Sequence, residues 1–413
     1  MCDLLIISPT PTHPPDAGNR VRVKALLEFF EETGIDYHVA FFRLERGDEN
    51  AMKERWGIGR CSFFEFKYPL RKIPIWKRVI NKLYRLLGGY SCIPYLIDDW
   101  CDDSLLANVR ALVESLDPQC VQIEYVFLSK LFECLDSGVL KILDSHDVFT
   151  DRHKMFLRQR LPPEGFYVTA KEEAAGISRA DHVLAIQETE TAFFRQLTRK
   201  PVATVGHFVR TKRPNNPITS IPTLMFLGSL NAPNRDAIRY FLKEIWPRVQ
   251  ATVPMAVVEV YGCISGYVTP NLSGVKTMGP VEHPSEGYER AWVVVAPLRF
   301  GTGLKIKSIE ALGLGKALVS SPAAYAGLED GLGKAFLSGA SADEFASACI
   351  ALLLDGALRR RLECSAYEYA YAWNVRQRET LSSILLRGGL GSEKLACIDG
   401  DINEAAFTSN ALG

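Results

Sequence analysis

Residue types that suit a phosphate site lie within the segment Pro297–Leu328. An apolar run before it, Trp292–Ala296, predicts a strand, which leads into a glycine-bearing loop and a short helix that ends at Gly315. Gly301 and Gly303 let the loop backbone approach a ligand without a Cβ clash. Backbone N–H groups at the start of the helix favour an anion. The spacing therefore predicts that a phosphate group binds this loop.

The predicted helix carries two cations and one carboxylate, Lys305, Lys307 and Glu310. Lys305 and Lys307 are too close in sequence to share a helix face, so we favour Lys307, one turn before Glu310, as the phosphate contact. Glu310 lies about two turns into the helix, where a carboxylate gains little from the helix dipole. Hydrogen bonds from sugar hydroxyls are a better reason for its presence.

Composition limits the class of protein. The 413 residues suffice for about two or three domains, and 47 % of them are apolar, as in folded globular proteins. Lys plus Arg and Asp plus Glu both number 48, which gives no support to nucleic-acid binding. No apolar run approaches the length of a membrane span, and the N-terminus lacks the basic region of a signal peptide. Ten scattered cysteines without a CxxC pair indicate reduced core thiols in a cytosolic protein and no zinc site.

Predicted strands and helices alternate along the first half of the chain. A glycine loop, Gly18-Asn19-Arg20, follows the first strand and leads into a helix. Alternation of this kind is typical of a doubly wound parallel sheet. The predicted strands are Leu4–Ser8, Tyr37–Arg43, Ser62–Phe66, Cys120–Ile123, Leu140–Leu143, Ala180–Ile186 and Val202–Val205.

The same alternation begins again after His207–Pro222, a segment rich in Pro, Asn and Thr that we interpret as a linker between domains. Asn234–Val249 is predicted to be a helix, and its start, Asn234-Arg235, weakly echoes Asn19-Arg20. Two similar α/β domains usually place ligands in the cleft between them, at the carboxyl ends of the strands. The predicted strands here are Thr223–Leu227, Val257–Tyr261, Gly274–Met278, Trp292–Ala296 and Ala317–Ser320.

Helical periodicity dominates the chain after Asp343. The pattern is interrupted at Trp373-Asn374, which predicts a break before a last helix at Val375–Leu386. From Gly388 onward there is little periodicity, and we expect a poorly ordered tail.

Two segments give the chain a family resemblance, FLGSLNAPNRDAIRYFLKEIWPRV and VVVAPLRFGTGLKIKSIEALGLGKALVS. They resemble the donor-domain opening and the nucleotide-sugar segment of the family 4 retaining glycosyltransferases, of the "glycosyl transferases group 1" type. The first half resembles that family in architecture only. The resemblance implies the GT-B fold, an α/β fold of two Rossmann-like, doubly wound domains that face a central cleft, with C-terminal helices crossing back.

The resemblance also implies a division of the chain into domains. Residues 1–206 would form the acceptor-binding domain, 207–222 the linker and 223–373 the nucleotide-sugar-binding domain. Residues 374–413 would supply a helix that packs back on the N-terminal domain and a flexible tail.

The donor would bind around the glycine loop. The family's glutamate on this helix holds ribose hydroxyls, a role that the resemblance carries to Glu310. Thr302 stands where the family often has a second glutamate, and the usual Arg and Lys are missing after the first donor-domain strand, so other cations must neutralise the diphosphate. The implied donor-binding residues are Gly18, Arg20, Gly228, Ser229, Arg299, Gly301, Thr302, Gly303, Leu304, Lys305, Lys307 and Glu310.

The first domain contributes a histidine within LDSHDVFTDRH. A histidine at this place in the family often contacts the transferred sugar, so the resemblance gives catalytic roles to His146 and Glu310. The alternative for His146 is a side chain satisfied by its own loop backbone. Asp144 and Asp147 fit loop capping about as well as a role in the site.

Residues 67–97 contain no acidic side chain and form a basic, amphipathic pattern. Such a helix is typical of binding to an anionic membrane surface, which would suit a lipid-linked acceptor. An ordinary surface helix that packs on its own core is the alternative. On the first interpretation the protein is cytoplasmic and attaches to the inner face of the membrane through 71–90. The cations are Lys67, Arg71, Lys72, Lys77, Arg78, Lys82 and Arg85.

The resemblance implies a retaining hexosyltransferase that needs no metal ion and no bound cofactor. The donor would be a UDP- or GDP-sugar, with Pro280–His283 flanking the base, and the acceptor a hydroxyl of a glycan or lipid-linked molecule in cell-surface polysaccharide or lipopolysaccharide assembly. A sugar-nucleotide epimerase or phosphorylase on the same fold and a non-catalytic sugar-nucleotide-binding protein stay open. A dehydrogenase is disfavoured because no G-x-G-x-x-G follows a strand.

Overall fold

The protein is described from a computed structural model, which covers residues 2–68, 75, 79, 82, 83, 86, 90, 93–269, 272–280 and 284–391. The chain divides into two compact units. The first comprises the chain up to His13, Leu26–Gly206 and the chain from Gln377. The second comprises Pro14–Ala25 and His207–Arg376.

The first unit is built on a sheet of seven parallel strands. The strands are β1 (Leu4–Ser8), β2 (Tyr37–Phe42), β3 (Cys61–Phe64), β4 (Cys120–Glu124), β5 (Leu140–Asp144), β6 (His182–Ala185) and β7 (Val202–Thr204). Their order across the sheet is β3-β2-β1-β4-β5-β6-β7. The winding therefore reverses between β1 and β4, and in such sheets ligands bind at the carboxyl ends of the strands beside the reversal.

Helices cover this sheet and bury its strands. In β1, β2 and β4 every residue is buried. A parallel strand covered on both faces is a nearly continuous apolar run, which explains why the sequence locates these strands to within one residue. The helices of this part of the chain are α1 (Gly18–Thr33), α2 (Glu49–Trp56), α3 (Asp103–Leu116), α4 (Arg152–Arg158), α5 (Ala170–Ile177) and α6 (Glu188–Leu197), with 3₁₀ turns at Ile58–Arg60, Ile97–Trp100 and Val126–Cys134.

The second unit repeats the plan with six parallel strands in the order β10-β9-β8-β11-β12-β13. They are β8 (Thr223–Leu227), β9 (Val257–Tyr261), β10 (Val275–Gly279), β11 (Val293–Ala296), β12 (Ala317–Ser320) and β13 (Leu337–Ser338). The winding reverses between β8 and β11, so the prediction of two doubly wound α/β domains is confirmed. The helices are α7 (Ala232–Tyr240), α8 (Trp246–Thr252), α9 (Ser285–Arg290), α10 (Ile306–Gly313), α11 (Ala342–Leu354) and α12 (Gly356–Arg387), with 3₁₀ turns at Cys263–Tyr267 and Glu329–Gly331.

The predicted helix Asn234–Val249 contains a π-helical turn at Phe241–Ile245, between α7 and α8. Pro247 lies in the first turn of α8 and has no N–H to donate to the preceding turn. A widened turn accommodates the missing hydrogen bond, and single π turns of this kind are common inside α-helices.

The predicted break at Trp373-Asn374 is wrong, because α12 runs unbroken from Gly356 to Arg387. Both side chains bind the backbone that precedes β8. Trp373 Nε1 donates to the carbonyl of His207 over 2.9 Å, and Asn374 Oδ1 accepts from the amide of Val209 over 2.9 Å. Asn374 interrupts the apolar pattern because its side chain accepts a hydrogen bond from the backbone of a neighbouring segment, and the helix continues through this position.

The described cysteines are all free thiols. Cys263 and Cys364 are exposed, so the expectation of core thiols is wrong for these two. The remaining described cysteines, Cys2, Cys61, Cys101, Cys120, Cys134 and Cys349, are buried or partly buried.

The basic segment 71–90 lies largely outside the described residues. Four of its apolar residues are described, in helical conformation and each more than half exposed: Ile75, Val79, Leu83 and Leu86. In the part of the chain that the structure describes, no helix has the length and apolar character to cross a membrane.

Candidate functional site

The glycine loop of the second unit lies at the carboxyl end of β11, beside the point where the strand order reverses. Gly301 has a φ of 144° and Gly303 a φ of 70°, which are backbone conformations that side chains with a Cβ rarely adopt. A Cβ on Gly301 would also lie 3.0 Å from Lys305 Cε. The loop conformation therefore depends on these two glycines, as the sequence predicts.

Lys305 does not lie within the helix as predicted, because it is the N-cap residue of α10 and has an extended backbone. Its ammonium donates to the carbonyl of Thr302 over 2.5 Å and to that of Gly303 over 2.6 Å. Lys305 thus folds back on the carbonyl side of the glycine loop. Leu304, beside it, is 6 % exposed and anchors the loop.

Lys307, on α10, contacts the end of β8 and the first turn of α7. Its ammonium donates to the carbonyl of Leu227 over 2.9 Å and to Asn234 Oδ1 over 2.7 Å, and it lies 4.8 Å from the ring centroid of Phe226. Burial, and secondarily the charge of Lys305, lower the pKa of Lys307 to about 7. A phosphate beside it would restore the ammonium form by supplying the missing negative charge.

The loop after β8 is held by its own side chains. Asn231 caps α7 by accepting from the amide of Asn234 over 2.9 Å, and Asn234 Nδ2 donates to the carbonyl of Ser229 over 2.9 Å. A Cβ on Gly228 would lie 3.1 Å from Asn234 Cγ. Gly228 and Ser229 therefore lie against the residue that binds Lys307.

Glu310 is the fifth residue of α10, just over one turn from the start of the helix and closer to it than the two turns predicted, and is partly buried. Among the described residues nothing donates a hydrogen bond to its carboxylate. Burial raises the pKa of Glu310 to about 7. Tyr288 is 2 % exposed, its hydroxyl finds no partner among the described residues, and the nearby Glu310 contributes to raising its pKa. A half-buried carboxylate without protein donors is suited to accept hydrogen bonds from a ligand.

Arg299 is engaged elsewhere in this structure. Its guanidinium forms a two-point ion pair with Asp236, with Nε 2.8 Å from Oδ2, and lies 4.9 Å from the ring centroid of Tyr240. Binding of a diphosphate by Arg299 would require this pair to open.

The glycine loop near the start of the chain also belongs to the second unit. A Cβ on Gly18 would lie 3.5 Å from Ile306 Cδ1, so Gly18 packs against the first residue of α10. Arg20 forms an ion pair with Asp16 at 3.3 Å. Gly18 thus lies beside the start of α10, which follows the predicted donor loop. Arg20 lies two residues further along α1.

His146 follows β5 in the first unit and contacts a carboxylate instead of its own loop backbone. Its Nε2 forms a hydrogen bond with Glu124 Oε2 at the end of β4. Glu124 Oε1 in turn accepts from Gln122 Nε2 over 2.6 Å. The ring of Tyr125 stacks on the imidazole with centroids 4.0 Å apart and planes 9° from parallel. His146 and Glu124 are 7 % and 0 % exposed.

The two aspartates beside His146 differ in role. Asp144 is fully buried, and its Oδ1 accepts from the amide of His146 over 3.3 Å. The contact of Asp144, with the amide two residues on, is the loop-capping pattern. Asp147 Oδ1 instead accepts from the adjacent amide of Val148 over 3.0 Å, and its Oδ2 lies 3.6 Å from Arg152 Nε. Among the described residues, Glu124, Asp144 and His146 form the group that could hold a metal ion, since their ligand atoms all lie within 4.8 Å of one another.

Four residues that line the donor site or the site around His146 were not predicted from the sequence: Glu124, Tyr125, Asn234 and Tyr288. Glu124 could have been found, because it directly follows the predicted strand Cys120–Ile123 and such strand ends carry ligand sites. Tyr125, Asn234 and Tyr288 gave no comparable signal, since their contacts join segments far apart in sequence. Residues 281–283, expected near the base, lie outside the described residues.

Comparisons with known proteins bear on both units. Residues 221–355 match the family described as "Glycosyl transferases group 1". No curated protein matches the chain. Among solved structures, the chain is similar to sucrose-phosphate synthase from Thermosynechococcus elongatus, with 16 % identity, a TM-score of 0.63, and 99 % of this chain and 100 % of that chain covered.

Two further similar structures were solved with ligands. The pneumococcal O-GlcNAc transferase GtfA in complex with UDP and GlcNAc has 10 % identity, a TM-score of 0.63 and coverage of 94 % of this chain and 99 % of that chain. Anabaena Alr3699/HepE in complex with UDP and glucose has 14 % identity, a TM-score of 0.57 and coverage of 93 % and 100 %. At such identities the likeness shows the fold, which is GT-B. The chain thus has the GT-B fold, and its residues 221–355 match the glycosyl transferases group 1 family.

Proposed function

We propose that this protein transfers a hexose-type sugar, with retention of configuration, from a nucleoside diphosphate sugar to a hydroxyl of a glycan or lipid-linked acceptor. The observation that carries the proposal is the carboxylate of Glu310. It is partly buried, accepts no hydrogen bond from the described residues and has a pKa raised to about 7. A pair of ribose hydroxyls supplies the donors that such a carboxylate lacks.

The diphosphate of the donor would lie between the glycine loop and Lys307. Amides of Gly301, Thr302, Gly303 and Leu304 would face the diphosphate ahead of α10, where an anion is favoured. Lys307 would supply positive charge from the other side, and Thr302 Oγ1 a hydroxyl in place of the family's second carboxylate. Loop amides and one partly buried cation would make a preorganised environment for the leaving diphosphate.

Transfer then needs only the donor and the acceptor hydroxyl. The bond between the anomeric carbon and the diphosphate oxygen breaks, and the acceptor oxygen bonds to the same carbon on the face that the diphosphate leaves. The acceptor proton passes to the departing phosphate oxygen. His146 would contact the transferred sugar. Because Lys307 and the amides neutralise the leaving group, we propose that no metal ion or cofactor takes part.

The ligands in related structures support a uridine nucleotide as the first donor to test, since GtfA and HepE were solved with UDP and a sugar. A TarM variant was solved with α-GlcNAc-glycerol and UDP, which supports a hydroxyl acceptor. We propose assembly of surface polysaccharide or lipopolysaccharide as the setting. GDP-sugars should be tested beside UDP-sugars, because the residues expected near the base, 281–283, lie outside the described residues.

We also propose that the segment 71–90 attaches the protein to the inner face of the membrane. The support is the sequence of basic residues together with the exposed apolar residues Ile75, Val79, Leu83 and Leu86. Charge reversal at Lys77, Arg78 and Lys82 should abolish sedimentation with anionic vesicles. Equal sedimentation of the variant and the parent would contradict membrane attachment through 71–90.

The test of the proposed function begins with thermal unfolding in the presence of UDP- and GDP-sugars, because a donor at 100 times its Kd adds about 2.7 kcal/mol of stability. Transfer is then measured with the stabilising donor and hydroxyl acceptors. Glu310→Gln should lose most of the activity and keep its fold, while the exposed Glu368→Gln, as a matched control, should keep both. Conversion of the donor into an epimer without any acceptor would instead indicate an epimerase. Donor binding without turnover would indicate a binding protein.

A further inference from the structure

The ends of β4 and β5 hold His146 in an unusual backbone setting. Tyr125 has a φ of 71° and His146 a φ of 60°, although neither is glycine. Such conformations are unfavourable for residues with a Cβ and persist where the surrounding structure enforces them. Here they bring the two rings face to face and direct the imidazole at the end of β4.

The imidazole is fixed through one nitrogen. Glu124 accepts from Nε2 and Tyr125 covers one face of the ring, whereas Nδ1 has no hydrogen bond to any described residue. The hydrogen bond made by one ring nitrogen decides which nitrogen carries the proton in the neutral form. An acceptor carboxylate on Nε2 places the proton there and leaves the lone pair on Nδ1.

Glu124 is itself held. Its Oε1 accepts from Gln122 Nε2 over 2.6 Å, and both side chains are 0 % exposed. Gln122 Oε1 has no partner among the described residues. A buried carboxylate on the inner side of His146 therefore cannot reach a substrate, and its effect on any reaction must pass through the imidazole.

We propose that Glu124 is a positioning residue for His146, whose carboxylate keeps the proton on Nε2 and leaves Nδ1 as the ring nitrogen that meets the transferred sugar. The proposal rests on the proposed function for the role of His146. The position of the proton, however, is a property of the protein alone and can be measured without a substrate.

A metal ion is the competing occupant of this group. In this structure Nε2 and Oε2 are hydrogen-bonded to each other, as a shared proton requires. A bound ion would instead take the place of that proton and separate the two atoms. Elemental analysis of the purified protein provides the matching measurement.

Two substitutions distinguish a role of Glu124 in positioning His146 from a role in stabilising the fold. Glu124→Ala removes the acceptor. Glu124→Gln keeps the volume and an acceptor for His146, because its carbonyl can accept from Nε2 while its amide donates to Gln122 Oε1 once the Gln122 side-chain amide turns over from its present orientation. Glu133→Gln, which changes a carboxylate that is 54 % exposed and paired with Arg179, is the matched control.

Long-range ¹H–¹⁵N spectra of histidine-labelled protein are the first measurement, with the His146 signals assigned by their loss in His146→Asn. We expect a protonated Nε2 in the parent, in Glu124→Gln and in Glu133→Gln, and a changed or mixed proton position in Glu124→Ala. An unprotonated Nε2 in the parent, or unchanged signals in Glu124→Ala, would overturn the proposal. So would one equivalent of a transition metal whose removal alters the His146 signals.

Kinetics give the second measurement. Glu124→Ala should lower kcat by at least about tenfold with the KM for the donor unchanged, and Glu124→Gln should recover most of the loss. A Glu124→Ala enzyme with parental kcat would overturn the proposal. If the parent protein transfers no sugar at all, the proposed function fails, and the spectra still decide whether Glu124 sets the proton on His146.

Discussion

Lys307 and Asn234 are 73 positions apart and meet at the candidate donor site, where the ammonium donates to Asn234 Oδ1 over 2.7 Å. The pair links α10 to the first turn of α7, and the same ammonium donates to the carbonyl of Leu227 at the end of β8, so one partly buried cation joins these elements beside the reversal of the second sheet. An amide is a neutral acceptor and leaves the charge of Lys307 for a ligand. The pair therefore orients the cation without neutralising it.

Removal of this cation should weaken donor binding. A charge-assisted contact to phosphate contributes about 1.5–3 kcal/mol, so Lys307→Met should raise the Kd of a nucleoside diphosphate by about 10- to 150-fold. Isothermal titration calorimetry at fixed ionic strength measures the change. Lys243→Met, at a lysine that is 78 % exposed, is the control and should bind like the parent. An unchanged Kd for Lys307→Met would show that the diphosphate is neutralised elsewhere.

Asn234→Asp should be more damaging to binding than Asn234→Ala. The new carboxylate would form an ion pair with Lys307 and compete with the diphosphate for it, whereas alanine only releases the ammonium. Both variants lose the hydrogen bond that Asn234 Nδ2 donates to the Ser229 carbonyl, so this loss does not distinguish them. We expect the aspartate variant to raise the Kd by at least about tenfold. Tighter binding by Asn234→Asp than by Asn234→Ala would contradict this use of Lys307.

The sequence predicts the strands, the helices and the glycine loop of the donor site. It does not predict the side-chain contacts that complete the donor site and the site around His146. Buried parallel strands and glycines with positive φ leave local signals, as in Thr223–Leu227 and Gly303. The contact of Lys307 with Asn234 and that of Glu124 with His146 depend on which strands become neighbours, which no local pattern records. At Asn374 the local pattern misled, because a tertiary hydrogen bond took the place of a helix end.

Donor affinity should respond to pH in opposite ways through Lys307 and Glu310. Both pKa values lie at about 7, lowered for Lys307 and raised for Glu310 by burial. The diphosphate favours charged Lys307, which is lost as pH rises through 7, and the ribose hydroxyls favour the Glu310 carboxylate, which is gained over the same range. The two effects partly cancel in the parent protein.

Single variants should separate the two effects. With an intact nucleotide sugar as ligand, Glu310→Gln should bind progressively more weakly between pH 6 and pH 8, because Lys307 alone remains, and Lys307→Met should bind more tightly across the same range. Titration calorimetry at several pH values gives each slope. Slopes of the same sign in the two variants would refute the assignment of opposite charges to the two residues.

Glu173 should make stability depend on pH. Its carboxylate is fully buried on α5 and accepts from the amides of Phe149 at 2.9 Å and Thr150 at 2.7 Å, in the loop that follows His146. Burial raises the pKa of Glu173 from 4.5 to about 7 despite these hydrogen bonds. A raised folded-state pKa contributes stability that is complete below about pH 4.5 and is lost as pH rises through about 7.

The matched substitution is Glu173→Gln, which cannot ionise and can accept only one of the two amide hydrogen bonds. Relative to this variant, the free energy of unfolding of the parent should fall by up to about 3 kcal/mol between pH 4.5 and pH 7.5. Urea unfolding at four pH values measures the difference, with the exposed Glu188→Gln as a control for the loss of one carboxylate. If the difference between the parent and Glu173→Gln is constant over this range, Glu173 is ionised throughout, and the loop after His146 is held by a buried anion at every pH tested.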